Sequence, residues 1–101
     1  MSGMPVTRIW IIRRGNGKLQ VAPSPAHLAP EFTIRNLADA DAEVVFDPKY
    51  VSPPRATIGP GAVQAFGVIA AGPAFFEYDV TLPRSGQYAE GGSKPGGIVD
   101  P

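Results

Sequence analysis

Glycine and proline interrupt this chain so often that no long helix can form. The 101 residues include 12 Gly and 12 Pro. Proline removes a backbone donor and fixes φ, and glycine loses more backbone entropy on folding than any other residue, so both end regular elements. The apolar segments between them are short and have the length of β-strands. The sequence therefore predicts an all-β fold.

The clearest strand signal is a period-two alternation from residue 74 to residue 82. Alternate residues in a strand point to opposite faces of the sheet, so one face of this segment is apolar and the other is mainly polar. The apolar face consists of Phe76, Tyr78, Val80 and Leu82. Weaker strand patterns cover residues 6–13, 18–22, 31–36, 43–47, 55–58, 62–70 and 97–100.

Seven or eight short strands with turn signals every 8–12 residues are typical of a two-sheet sandwich. We expect a single domain over residues 1–101, folded as a Greek-key β-sandwich. Asn16-Gly17 predicts a tight hairpin turn between the first two strands. Residues 23–30 are expected to form an extended loop with at most one helical turn, and residues 97–100 an edge strand. The predicted core is Ile9, Ile11, Leu19, Val21, Phe32, Ile34, Val44, Phe46, Phe66, Val68, Phe76, Tyr78, Val80 and Leu82, with Trp10 also expected inside.

Charge and cysteine content exclude several classes of function. Nine Lys and Arg residues balance nine Asp and Glu residues. Zero net charge argues against a dedicated nucleic-acid binder, whose affinity for phosphate comes from excess basic side chains. The absence of Cys excludes disulfides, thiolate metal sites, iron–sulfur clusters and Cys nucleophiles. We expect no cofactor and no membrane partner.

The first apolar run is too short for a targeting or membrane segment. Ile9 to Ile12 is followed at once by Arg13 and Arg14, whereas a secretory signal needs about 7–15 apolar residues and a membrane helix about 20. The expected compartment is the cytoplasm, or the periplasm if a leader was removed.

The order of four segments resembles the cupredoxins, the plastocyanin-like β-sandwiches. Residues 31–36 (EFTIRN) resemble their third strand, which ends in Asn, and residues 42–46 (AEVVF) the strand that follows the first copper-binding His. Residues 58–66 (IGPGAVQAF) resemble the segment in which Pro-Gly precedes a strand. Residues 72–78 (GPAFFEY) resemble the aromatic strand that leads into the copper loop. The resemblance covers most of the chain and implies a cupredoxin-like sandwich; an immunoglobulin-like sandwich is the alternative fold.

The copper ligands of that family are missing from this sequence. A blue-copper centre needs a Cys thiolate, two imidazoles and a weak axial ligand, commonly Met. The matched ligand positions hold Ala42, Val80 and Pro83. The single His, His27, lies in a different segment, and the two Met residues lie at the N-terminus. The resemblance therefore implies a vestigial site and no electron transfer.

Other chemical groups suggest alternatives from different classes. Glu77 and Asp79 share one face of the predicted strand, about 6.6 Å apart, a separation compatible with a glycosidase pair. With Glu90 or His27 they could form a small-ligand site or an active site, or His27 and carboxylates could hold a relocated metal. Outward-facing strands nevertheless place polar residues at this spacing by default.

A basic cluster around the first hairpin gives a nucleic-acid alternative. Arg8, Arg13, Arg14 and Lys18 surround Trp10, and such an arrangement can bind single strands by stacking and charge. A core position for Trp10 argues against it, because large aromatic rings bury most of their area. We therefore expect no nucleic-acid partner.

These observations favour a non-catalytic module with a protein-interaction or structural role. Its partner would bind at loops or pair with an edge strand. The candidate interaction residues in these loops are Tyr50, Gln87, Tyr88, Glu90 and Lys94. The partner's identity and the oligomeric state are left open.

Overall fold

A computed structural model of the chain describes residues 6–13, 19–83, 87–88 and 95–99. These residues form eleven β-strands and no helix, which confirms the all-β prediction. The strands are β1 (Val6–Arg13), β2 (Leu19–Ala22), β3 (Ala26–Asn36), β4 (Ala42–Val45), β5 (Val51–Ser52), β6 (Arg55–Ile58), β7 (Val63–Val68), β8 (Ala74–Glu77), β9 (Asp79–Leu82), β10 (Gln87–Tyr88) and β11 (Gly96–Val99). The described residues contain no helix with the length and hydropathy of a membrane span.

The strands form two sheets, one of seven strands and one of four. In the larger sheet β3 is central: β1 runs parallel to it on one side, and β11 and then β7 pair with it on the other. β2 and β8 extend this sheet at its two ends, and β5 pairs with β7. The smaller sheet has the order β10-β9-β4-β6. The first two strands pair as an antiparallel hairpin, although the predicted Asn16-Gly17 turn lies outside the described residues.

Side chains from both sheets meet in a shared core, as a β-sandwich requires. Five aromatic rings at its centre have neighbouring centroids 4.6–6.5 Å apart; they are Phe32, Phe46, Phe66, Phe76 and Tyr78. Of the fourteen core residues predicted from Ile9 to Leu82, all are buried except Val68, which is half-buried and packs against the others. Trp10, which was expected inside in addition, is described below.

The expected loop at residues 23–30 is wrong over most of its length, because β3 begins at Ala26 and continues through Pro30. Proline cannot donate to a ladder and is normally confined to sheet edges or irregularities. Pro30 lies after the residues that pair with β11, Ala26 and His27, and before those that pair with β7. The neighbouring strand of β3 changes from β11 to β7 at Pro30, so β3 can contain a proline at this position.

The predicted strand from residue 74 to residue 82 is divided between the two sheets. β8 pairs with β11 in the larger sheet, and β9 pairs with β4 in the smaller one. Tyr78 lies between them and donates its backbone N–H to the carbonyl of Pro95 at 3.0 Å. The inward alternation persists across the division, because Phe76, Tyr78 and Val80 are all buried.

The C-terminal strand β11 is an interior strand, and the predicted edge position is wrong. It lies between β3 and β8 and pairs with both. Gly97 makes this position feasible, because a Cβ there would lie 2.7 Å from Phe76 Cζ and 2.8 Å from Leu28 Cδ1. Its lack of a side chain lets two core side chains approach the backbone closely.

Asn36, at the end of β3, forms hydrogen bonds to two turns. Its side-chain Nδ2 donates to the carbonyl oxygens of Ala40 (2.7 Å) and Ile58 (2.9 Å), and its Oδ1 accepts from the Ala38 amide (2.9 Å). Asn36 is fully buried. A buried amide with all three bonds made fixes the local chain path and explains why a polar residue is stable in this core.

Candidate interaction surface

The outward face of the larger sheet carries an exposed aromatic residue where the sequence predicted a buried one. Ile9 and Ile11 of β1 point into the core, so alternation places Arg8 and Trp10 on the opposite side. Trp10 is 37% exposed and Ile12 is half-buried. The expectation that Trp10 belongs to the core is therefore wrong.

Outward side chains form rows across β1, β3 and β7, with a continuation on β5. The pairing registers define these rows. The first row is Trp10, Arg35 and Val63; the second is Arg8, Thr33 and Ala65; the third is Glu31, Gly67 and Ser52. We call these nine residues the β3 face.

A groove of about 640 Å³ lies over the second and third rows of the β3 face. Thr33, Ala65, Gly67 and Ser52 line it, and their small side chains leave this part of the surface low. Arg8 lines the groove from β1, and Glu31 lines it from β3. The groove therefore has a floor of small residues and charged side chains of opposite sign.

A register irregularity in β1 shapes one end of this groove. The pairing with β3 shifts between Val6 and Arg8, and Thr7 and Arg8 are consecutive exposed residues at this point. Such an irregularity breaks the strict alternation of faces. The Thr33 hydroxyl donates to the Thr7 carbonyl at 3.4 Å, so it connects the two strands beside the groove.

The charged residues of the β3 face have no ion-pair partners among the described residues. Arg13 of β1 does form one, with its Nη1 3.0 Å from Asp39 Oδ1, but both side chains are exposed at the end of the strand. Arg8 and Arg35 are exposed and make no such contact within the described ranges. Both guanidinium groups are thus available to a bound group. Arg14 and Lys18, the other members of the predicted basic cluster, lie outside the described residues.

The predicted loop residue Tyr50 is anchored to the core. Its ring lies parallel to that of Phe76, with centroids 4.9 Å apart and an interplanar angle of 10°. Lys49 Nζ lies 5.2 Å from the Tyr50 ring centroid. The Tyr50 carbonyl accepts a hydrogen bond from the Ile69 amide at 2.9 Å. The partly buried side chain of Tyr50 therefore contributes to the packing of the core.

The other predicted loop residues are only partly described. Gln87 and Tyr88 form β10, which pairs antiparallel with β9 at the edge of the smaller sheet. Glu90 and Lys94 lie outside the described residues.

His27, Glu77 and Asp79 lie on three different strands. His27 is exposed on β3 and is in register with Ile98 of β11, which is itself opposite Phe75 of β8. Glu77 is exposed at the end of β8, and Asp79 begins β9 in the other sheet. Among the described residues no group of three or more His, Cys, Asp or Glu side chains could hold a metal ion.

The three positions matched to copper ligands lie near one another in the smaller sheet. Val80 is buried and pairs with Val44, and the antiparallel register then brings Ala42 beside the end of β9. Ala42 is fully buried and Pro83, directly after β9, is exposed. Two of the three positions therefore hold apolar core side chains.

The buried phenol of Tyr78 has a pKa that is clearly shifted by its environment. Its hydroxyl is buried without a hydrogen-bond partner, and burial raises the pKa of this phenol well above its usual value. Desolvation has this effect because it disfavours the charged phenolate. Tyr78 is therefore a neutral packing residue at physiological pH.

Sequence reasoning named Arg8 and Trp10 but did not connect them with Arg35, Thr33 and Val63. Alternation alone puts Trp10 outside once Ile9 and Ile11 are inside, so that signal was present in the sequence. The rows depend on the registers of β1 and β7 with β3. Those pairings join distant parts of the chain and have no local sequence signal.

Comparisons of this chain with protein-family models, with curated proteins and with solved structures found no match.

Proposed function

We propose that this chain is a non-catalytic, cupredoxin-like Greek-key module without a copper site, and that it binds a protein partner through the β3 face. The observation that carries the proposal is the first row of that face. It combines an exposed Trp, an exposed Arg and an exposed Val on three adjacent strands, Trp10, Arg35 and Val63.

This composition is typical of residues that dominate protein interfaces. Trp and Arg are enriched among the residues whose truncation costs most binding energy. Trp10 is 37% exposed and Val63 is 46% exposed on strands whose opposite faces are packed in the core. Trp10 is flanked by β2 and β3, and Val63 pairs with β3, so a partner meets a preformed surface and less ordering entropy is lost on binding.

The distribution of chemical groups also supports a non-catalytic role. Of the residues considered for acid–base work, Glu77 and Asp79 are only two residues apart, but His27 lies on β3, which β11 separates from β8. Apolar side chains at Ala42 and Val80 occupy two of the positions that the resemblance assigns to copper ligands.

The test is affinity purification from the native cell extract with three forms of the chain, followed by reconstitution with the purified partner. Trp10→Ala and Arg35→Ala remove members of the first row, and Arg55→Ala removes an exposed Arg from β6 in the smaller sheet. We expect a partner that binds the parent chain and Arg55→Ala equally and binds each first-row variant at least about tenfold more weakly.

Equal binding by all the variants would overturn the assignment of the β3 face. Turnover of a small-molecule substrate by the purified chain, abolished by Glu77→Gln or Asp79→Asn, would overturn the non-catalytic role. Matching circular dichroism spectra and unfolding midpoints establish that the variants retain the fold.

A further inference from the structure

We propose that the groove of the β3 face binds an extended acidic peptide segment, with a carboxylate held between Arg8 and Arg35 above Thr33. This inference rests on the proposed function and specifies the chemistry of the partner.

The two arginines adjoin Thr33 from different directions. Arg8 is its neighbour across the β1–β3 pairing, and Arg35 lies two residues further along β3 on the same face. These separations are about 4.8 Å between strands and about 6.8 Å along a strand. Both side chains are long enough to reach one anion above Thr33, whose own side chain is short.

A carboxylate fits this arrangement because guanidinium groups bind it through two parallel hydrogen bonds. Neither Arg8 nor Arg35 has a carboxylate partner among the described residues. A ligand carboxylate would therefore gain both interactions without displacing an existing ion pair.

The dimensions of the groove favour an extended chain. Its lining extends from Arg8 on β1 to Ser52 on β5. These strands are separated by three strand spacings, or about 14 Å, which equals the length of about four extended residues. Alternate side chains of an extended segment point in opposite directions, so a segment with Glu at every second position presents its carboxylates on one side.

Glu31 makes the two sides of Thr33 electrostatically different. It lines the groove two residues before Thr33 on the same face of β3, whereas Arg35 lies two residues after Thr33, just outside the groove lining. A carboxylate near Glu31 would meet a like charge, whereas a neutral polar side chain would not. The segment that fits has acidic residues over Arg8 and Arg35 and neutral residues over Glu31 and Gly67.

Trp10 provides a direct measurement of binding, because it is the only Trp in the chain and adjoins Arg35. The probe is a peptide of about six residues, acetylated at its N-terminus and amidated at its C-terminus. Two Glu residues alternate with Val residues in its first part, and its second part consists of Ser residues. The comparison ligands are the same peptide with Lys in place of Glu, and an oligothymidylate. Each is titrated into the full chain while Trp10 emission is recorded, and calorimetry gives an independent dissociation constant.

We expect the Glu peptide to bind at least about tenfold more tightly than the Lys peptide, and its affinity to fall as salt screens the charges. Arg8→Ala and Arg35→Ala should each weaken binding about tenfold, and Arg55→Ala should leave it unchanged. Arg8→Glu combined with Arg35→Glu should reverse the preference in favour of the Lys peptide. Only a folded protein can show that reversal, because a misfolded variant would lose its affinity for both peptides.

A variant that fills the groove tests the position of the peptide. Ala65 is exposed on the groove floor, so Ala65→Leu adds bulk there without entering the core. Thr57→Leu adds a similar side chain at an exposed position of β6 in the smaller sheet. Ala65→Leu should abolish most of the affinity, and Thr57→Leu should have no effect.

Several results would overturn the inference. Equal affinity for the Glu and Lys peptides would remove the acidic preference, and tighter binding of oligothymidylate that displaces the Glu peptide would assign the face to single-stranded nucleic acid. If a purified protein partner depends on Trp10 and Arg35 while the Glu peptide does not bind, the acidic segment is wrong and the proposed function stands. If partner binding is unaffected by the first-row variants, the proposed function fails as well.

Discussion

The side-chain amide of Asn36 donates a 2.9 Å hydrogen bond to the carbonyl oxygen of Ile58, 22 residues later in the chain. The same side chain bonds to Ala38 and Ala40. The backbone of Asn36 makes two further hydrogen bonds, both to the turn that follows Ile58. The Asn36 amide donates to the Ala62 carbonyl (3.0 Å), and the Asn36 carbonyl accepts from the Gly61 amide (2.6 Å). One buried residue therefore holds the end of β3 and both adjoining turns in place.

Asn36→Ala should lower the free energy of unfolding by about 3 kcal/mol, because each buried group left without a partner costs about 1–3 kcal/mol. The groups affected are the carbonyls of Ala40 and Ile58 and the amide of Ala38. Urea unfolding measures the change. Thr57→Ala, at an exposed strand position, is the control and should change stability by less than about 0.5 kcal/mol. A loss of similar size in both variants would contradict the role given to Asn36.

Tyr78→Phe should keep or increase stability at neutral pH, by up to about 1 kcal/mol. The hydroxyl that it removes is buried without a hydrogen-bond partner, and burial of an unpaired polar group is unfavourable. The stacking of the ring on Phe46, with centroids 4.6 Å apart, is retained. Thermal and urea unfolding give the measurement, and a clear loss of stability would mean that the hydroxyl has a partner.

Alkaline pH should destabilise the parent chain more than Tyr78→Phe. Burial raises the pKa of Tyr78 in the folded state, so only the unfolded chain loses this proton as pH rises past its unperturbed pKa of about 10. The contribution of the protonated Tyr78 to the free energy of unfolding is complete below that pH. Above it, this contribution decreases by up to about 1.4 kcal/mol per pH unit. Unfolding of the two proteins at pH 9 and about 11 tests this. Parallel pH profiles would show that Tyr78 ionises equally in both states.

Gly97→Ala should destabilise the fold by about 2 kcal/mol, the usual cost of overpacking a dense core. The new methyl group would lie 2.7 Å from Phe76 Cζ and 2.8 Å from Leu28 Cδ1. Gly67→Ala is a matched control in the same sheet, since its Cβ would meet only the Pro30 and Ser52 carbonyls at 3.9 Å. Chemical denaturation should separate the two variants, and equal stabilities would show that β11 moves to accept the methyl group.

Tyr50→Ala should lower stability by about 2 kcal/mol through loss of the stacking on Phe76 and of buried ring area. Tyr50→Phe keeps the ring and should have an effect below about 0.5 kcal/mol. Unfolding midpoints of both variants provide the measurement. If Tyr50→Ala is as stable as the parent chain, the ring is free for recognition, as the sequence suggested.

Much of the fold was predictable because alternation is a local signal. The pattern from Phe76 to Leu82 assigns each side chain to the inside or the outside, and the structure agrees at each buried position. Alternation does not specify the sheet to which a strand belongs, so the crossing at Tyr78 could not be foreseen. The acceptance of Pro30 within β3 depends on a change of neighbouring strand, which is likewise a long-range property.

The candidate site was less predictable because its residues are distant in sequence. Trp10 was judged by its size, whereas the inward positions of Ile9 and Ile11 required it to face outward. Arg35 and Val63 join it through the pairings with β3, which depend on the whole sheet. A single charge or aromatic residue in a strand has little meaning until its cross-strand neighbours are known.

The interior position of β11 has a consequence for synthesis on the ribosome. Among the described strands β8 pairs with β11 alone, and β11 is the last of them to be translated. A chain truncated before Gly96 would therefore leave β8 without its neighbour, and unpaired strand edges of this kind promote misassembly. This part of the sheet can form only after residues 96–99 have left the ribosome, so folding of the larger sheet ends with its late-translated strand.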